Sequence, residues 1–101
     1  MYRIIDSRAT GKTSRLMLLA KELGAKIACM NPHLMIEKAY RYGITGIDFI
    51  SYSDLLTQEK GKRDSILIDE LECFTRYALG TNALMGYTLS IEDDQKWNLK
   101  I

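Results

Sequence analysis

Two cysteines, one proline and one histidine are all that 101 residues supply of those types, and no apolar run approaches the ~20 residues that span a bilayer. A membrane-spanning helix is therefore excluded from the expectations. Cys29 and Cys73 lack the C-x-x-C spacing of metal and redox motifs, so both read as reduced, small core hydrophobes. The opening Met1-Tyr2-Arg3-Ile4-Ile5-Asp6 has neither the apolar core nor the cleavage site of a signal peptide, and the expected location is the cytoplasm. Net charge is only +1, too little for a general electrostatic case for nucleic acid. The charge is uneven, however: eleven Lys/Arg accompany six Asp/Glu through Arg63, and three accompany seven from Asp64 onward. Repeats and low-complexity segments are absent.

What is there suits a single domain over residues 1–101, with hydrophobic content of 47% and charged content of 27%, ordinary for a soluble globular chain. Strand and helix signals alternate. Tyr2 to Asp6 reads as a strand, and from Gly11 the residues Leu16, Leu19, Ala20 and Leu23 keep helical spacing until Gly24. Ile27 to Met30 is a buried strand, and Asn31-Pro32 caps and opens a helix through about Tyr42. Ile47 to Ser51 is a third strand, and Ser53 is placed to cap a short helix from Asp54 to Gln58. A polar turn, Glu59 to Arg63, leads to the strand Ile66-Leu67-Ile68. Leu71 to Leu79 is helical up to Gly80, and Tyr87 to Ile91 makes a fifth strand before the acidic tail Glu92 to Gln95. Such alternation predicts an α/β fold with a mainly parallel sheet covered on both faces, where ligands bind at the carboxyl ends of the strands.

Two of those ends are unusual. After the first strand comes "DSRATGKT", in which Gly11-Lys12-Thr13 opens a helix. A polyphosphate needs several donors at once, which consecutive backbone N–H groups running into a helix N-terminus provide. In such a loop Lys12 reaches the β and γ phosphates, the Thr13 hydroxyl holds Mg²⁺, and Gly11 admits close backbone approach. A bare Gly-Lys-Ser/Thr arises by chance in roughly one chain in twenty of this length, so the strand before it and the helix after it carry the argument. The second end is "ILIDE": Asp69 is the metal-side carboxylate and Glu70 the candidate base that polarises water against the γ-phosphate. Taken alone, Asp69-Glu70 reads as a cap for the helix from Leu71; taken with Gly11-Lys12-Thr13, it reads as a site.

On these two motifs the sequence resembles the P-loop NTPases, with "DSRATGKT" as Walker A and "ILIDE" as Walker B. The acidic pair is similar to that of the additional-strand, catalytic-glutamate division, which includes RecA-like ATPases and viral DNA-packaging motors, and small phage ATPase-like domains share the layout. The resemblance implies a three-layer α/β/α sandwich with a mainly parallel five-stranded sheet, a minimal RecA-like core. It also implies ATP held by Ser7, Arg8, Ala9, Thr10, Gly11, Lys12, Thr13 and Ser14, Mg²⁺ on Thr13 and Asp69, and Lys12 and Glu70 as the catalytic pair. The fifth strand would insert beside the first and offer Thr88 or Ser90 as a sensor near the γ-phosphate. One departure is Asp6, which stands where the pattern has its first glycine. Another is the absence of any arginine that a motif places as a finger, although Arg8, Arg15 and Arg76 are available. A partner protein or a second copy would supply that cation, and the implied activity is a weak or partner-dependent ATPase in phage or mobile-element DNA transactions. The alternative is a non-catalytic interaction protein that keeps the fold.

The other features carry less. His33 receives no role. Tyr40, Tyr42 and Tyr52, with Lys38 and Arg41, could interleave bases and phosphates of a nucleic acid, but tyrosines half-buried on helix and strand faces are the commoner explanation. Met17, Met30, Met35 and Met85 fall at core-like positions. Trp97 belongs to a segment, "KWNLKI", that reads either as an added edge strand or as a contact for another chain.

Overall fold

A computed structural model describes residues 1–7, 9–58, 64–90 and the backbone of 98–99. The expected alternation is present in it: β1 (Arg3–Ile4), α1 (Lys12–Leu23), β2 (Lys26–Cys29), α2 (Pro32–Arg41), β3 (Phe49–Ser51), α3 (Tyr52–Thr57), β4 (Ile66–Ile68), α4 (Leu71–Leu79) and β5 (Asn98–Leu99). The chain is thus an α/β protein. Its parallel sheet has the order β3-β2-β4, with Ala28 level with both Ile50 and Ile68. A separate parallel pair joins β1 to β5. The described strands therefore form sheets of three and two, where sequence reading expected one sheet of five.

Each boundary has a local cause. Gly24 ends α1 in a left-handed turn that the missing Cβ permits, and its backbone N–H donates to the Ala20 carbonyl. Pro32 fills the first helical position of α2, while the Asn31 side chain accepts from the Leu34 N–H at 3.3 Å. The cap of α3 is Ser51, whose Oγ accepts from the Asp54 N–H at 3.0 Å. Sequence reading gave that role to Ser53; the helix begins two residues earlier than its polar residues suggested, because Tyr52 buries its ring there.

β2 runs through the centre of the core. Ile27, Ala28 and Cys29 are buried, as expected of a parallel strand with a neighbour on either side. Met17 and Ala20 of α1, Met35 and Ala39 of α2, and Ile44 pack with Ile27 and Cys29 in one cluster, and Leu16, Ile47, Phe49 and Leu67 border it. Of the four methionines assigned to core positions, Met17 and Met35 are buried, whereas Met30 and Met85 are exposed. Met30 follows the last residue of β2 and has left the sheet, and Met85 lies on an irregular stretch. That stretch includes residues 87–90, where a fifth strand was expected, and Tyr87, Leu89 and their neighbours are exposed there. Ile91, the rest of that expected strand, the tail Glu92 to Gln95, Trp97 and the turn Glu59 to Arg63 lie outside the described residues. The strand beside β1 is instead Asn98–Leu99, which agrees with the edge-strand reading of "KWNLKI". No helix among the described residues is long and apolar enough to cross a membrane.

Because the cap of α3 rests on one hydroxyl, Ser51→Ala should cost about 1 kcal/mol of stability. Ser53→Ala should cost less than about 0.5 kcal/mol. Urea unfolding distinguishes the two, and equal losses would show that Ser51 is not the cap.

Candidate functional site

The loop from β1 to α1 is shaped by two left-handed residues, Ala9 (φ 60°) and Gly11 (φ 77°). Gly11 is the N-cap of α1, and a Cβ there would meet only Ser14 Oγ at 3.5 Å; the dihedral, more than the space, asks for glycine. No described side chain caps α1, so its first-turn N–H groups keep the partial positive end of the helix open toward the loop. An anion is the ligand such an end accepts.

The loop is cross-braced by its own side chains. The Asp6 carboxylate accepts from the Ser7 N–H at 2.8 Å and from the Arg15 guanidinium at 3.4 Å. These contacts hold its carboxyl below the usual range, the Ser7 N–H contributing most and Arg15 adding to it against the opposing effect of desolvation. Arg15 also donates to the Gly11 carbonyl at 3.3 Å and to the Thr10 carbonyl at 3.2 Å. It is therefore a clamp across residues 6 to 11. The Ser7 carbonyl accepts both the Thr10 hydroxyl, at 2.8 Å, and the Lys12 ammonium. Ser14 Oγ donates to the Gly11 carbonyl at 3.0 Å.

The other half of the site lies at the end of β4. The Asp69 N–H donates to the Ala28 carbonyl at 3.0 Å, continuing the ladder one residue beyond the strand. The Thr13 hydroxyl donates to Asp69 Oδ1 at 3.3 Å, across 56 positions of sequence. Burial pushes the Asp69 carboxyl above its ordinary value, and the Glu70 charge adds to this; the Thr13 hydroxyl, Lys38 and Lys12 pull the other way. Glu70 is exposed and sits at φ 59°, ψ 73°, a left-handed conformation rare for a residue with a side chain. It occupies the N-cap position of α4 without a side-chain cap bond, so its carboxylate does not serve the helix-capping role weighed for it.

Behind this turn stands Tyr52, 2% exposed. Its hydroxyl donates to the Asp69 carbonyl at 2.5 Å and lies 3.3 Å from the Glu70 carbonyl. Its ring meets Phe74 edge-on at 5.3 Å and Tyr77 at 6.0 Å. Cys29, at the end of β2, is buried and free, with its thiol pushed up to about 11, chiefly by burial. It stays a protonated core hydrophobe, as expected; Cys73 is free as well but only partly buried, because α4 buries none of its residues fully, so the expectation of a core position fails there.

The structure thus brings Thr13 and Asp69 into contact, with Lys12 and Ser14 at the same helix start, Ser7, Ala9 and Thr10 in the loop beside it, and Glu70 next to Asp69. Arg8 lies outside the described residues. Thr88 and Ser90, proposed as sensors, are exposed on irregular chain. Tyr40 and Tyr42 are exposed where half-burial was the commoner expectation, and only Tyr52 is enclosed. His33 is a surface residue 3.8 Å from Glu37. Sequence reasoning missed the bracing roles of Arg15 and Tyr52. The i, i+4 spacing of Gly11 and Arg15 was a usable signal for the first; nothing local announced the second, because its partners lie 17 and 18 residues downstream. No family model, curated protein or solved structure matches this chain.

A raised carboxyl has a consequence for stability. The neutral form of Asp69 is favoured by folding, so its contribution is present below the unfolded-state value and is lost as pH rises through the folded-state value. At neutral pH the ionised, half-buried carboxylate therefore opposes folding. Asp69→Asn, which keeps an oxygen for the Thr13 hydroxyl, should raise the thermal midpoint at about pH 7 and lose that advantage toward about pH 3, where both forms are neutral. A midpoint that falls at neutral pH would show that the charge is held favourably.

Proposed function

We propose that this chain binds a nucleoside triphosphate, ATP first among them, with Mg²⁺ between the loop of residues 7–14 and the carboxyl end of β4, and hydrolyses it weakly or only with a partner. The carrying observation is the Thr13–Asp69 hydrogen bond, which joins the lysine-bearing helix start to the acidic strand end. A hydroxyl and one half-buried carboxylate are a hard oxygen pair suited to Mg²⁺, whose remaining positions go to phosphate and water in sites of this kind. When bound, the ion supplies neutralisation of phosphate charge.

The remaining steps belong to the chain's own residues. The α1 N–H groups and Lys12 hold phosphate oxygens, which requires the Lys12 ammonium to leave the Ser7 carbonyl. Asp69 and Thr13 fix the metal side, and Glu70 takes the proton of the attacking water. In this reading β3-β2-β4 and β1-β5 are parts of one five-stranded layer in a three-layer, RecA-like P-loop core, a reading supported by the contact of the first turn of α1, at Thr13, with Asp69 at the end of β4. Arg15 is engaged within the loop and no motif places Arg8 or Arg76 as a finger, so in this reading the stabilising cation for the transition state comes from another protein or a second copy. The resemblance alone supplies the remaining elements of the proposal, a cytoplasmic setting and a role in phage or mobile-element DNA transactions, with nucleic acid as a further partner.

One observation favours the second reading, a non-catalytic interaction protein: Asp6 consumes the Ser7 N–H that a glycine-started loop would leave for phosphate. Binding separates the readings. Mg-ATP at one hundred times its dissociation constant should stabilise the parent by about 2.7 kcal/mol. Lys12→Ala should weaken affinity ~10- to 100-fold through loss of a charge-assisted contact. Glu70→Gln should bind normally and lose single-turnover hydrolysis. A flat thermal response of the parent at millimolar Mg-ATP would reject the nucleotide reading, and unchanged hydrolysis by Glu70→Gln would remove Glu70 from the chemistry.

A further inference from the structure

Glu70 presents a conflict that the fold does not need. A left-handed N-cap without a capping bond is better served by glycine, which adopts that conformation without strain. A glutamate there must be held by its surroundings. The only described side chain that reaches its backbone and that of Asp69 is Tyr52, which sits at the start of α3 on the far side of β2 from β4. The register explains how it arrives: Ile50 and Ile68 are both level with Ala28, so the residues just beyond β3 and β4 emerge at one height. There the hydroxyl meets two successive carbonyls, while Phe74 and Tyr77 hold the ring from the first two turns of α4. The Glu70 carbonyl also accepts the first backbone bond of α4, from Phe74 at 3.1 Å. The tyrosine thus grips the turn through both its peptide groups and the helix that follows.

We propose that Tyr52 is the positioning residue for Glu70: its hydroxyl locks the Asp69-Glu70 peptides in the left-handed turn and so fixes the direction in which the Glu70 carboxylate projects. The inference rests on the reading of Glu70 as the general base for its catalytic consequence, but the locking itself is a property of the backbone. Burial raises the Tyr52 hydroxyl well above its ordinary value, so it is a protonated donor at neutral pH.

Two measurements on the full chain test it. Tyr52→Phe keeps the ring and its contacts and deletes only the donor. With Mg-ATP it should lower kcat at least about tenfold and leave KM within about twofold, because substrate contacts are untouched while the base is misdirected. A purely structural tyrosine would lower the thermal midpoint and leave turnover per folded molecule unchanged, and that result would overturn the proposal. The second measurement needs no hydrolysis. Glu70→Gly relieves the left-handed strain only while that conformation is enforced, so it should raise the thermal midpoint in the parent and fail to raise it in the Tyr52→Phe background. Equal shifts in the two backgrounds would show that Tyr52 does not hold the turn. If the parent proves inactive with ATP, the catalytic reading of Glu70 falls and takes with it the consequence drawn for turnover, while the midpoint cycle still decides whether the lock exists.

Discussion

The arrangement depends on β2 being paired on both sides by parallel strands. Parallel pairing leaves no freedom about which ends coincide: β3 and β4 run with β2, so the chain leaves all three on the same side and at nearly the same height. Ile27 and Cys29 share the face that packs into the cluster with α1 and α2, and a slip of one residue would put the smaller Ala28 in their place, which favours this register. From that constraint follow the contacts that matter. Asp69 continues the ladder onto Ala28, Tyr52 crosses behind β2 to reach it, and the Thr13 hydroxyl closes the third side.

Two halves of the candidate site are stabilised differently. The acidic half is backed by buried groups, with Tyr52 enclosed and the Asp69 carboxyl partly withdrawn from water. The basic half is a solvent-facing loop that holds its shape through side-chain bonds, five from Thr10, Lys12, Ser14 and Arg15 onto the carbonyls of Ser7, Thr10 and Gly11 and a sixth from Arg15 to the Thr10 hydroxyl. Exposed bonds of this kind contribute little individually and are screened by salt. The rigid wall of the site is therefore the end of β4, and the adaptable one is the loop.

Much of this was legible in the sequence. The alternation of short apolar runs with helical spacing located eight of the nine described elements near their observed places, because Gly24, Asn31-Pro32 and Gly80 act through local backbone preference alone. The pairing of Gly11-Lys12-Thr13 with Asp69-Glu70 was also readable, since parallel strands bring their carboxyl ends to one side. The misses share a cause. Residues 87–90 alternate like a strand, yet an alternating segment becomes one only if an edge accepts it, and that is decided by tertiary pairing. Ser51 displaced Ser53 as a cap because the burial of Tyr52 drew the helix start back. The reach of that tyrosine depends on a register that no window of residues contains.

The Ser7 carbonyl, which holds both the Thr10 hydroxyl and the Lys12 ammonium, gives the loop a threshold. In the proposed reading the first-turn N–H groups of α1 are open to an anion, but the Lys12 ammonium is not: it has to be withdrawn from an oxygen already satisfied, so that contact is an exchange. A ligand with one or two acceptor atoms gains little from that exchange. One that offers many oxygens in a row would engage Lys12 and the open N–H groups together, so on the proposed reading the loop would favour a long anionic chain before any group recognises what the chain is attached to.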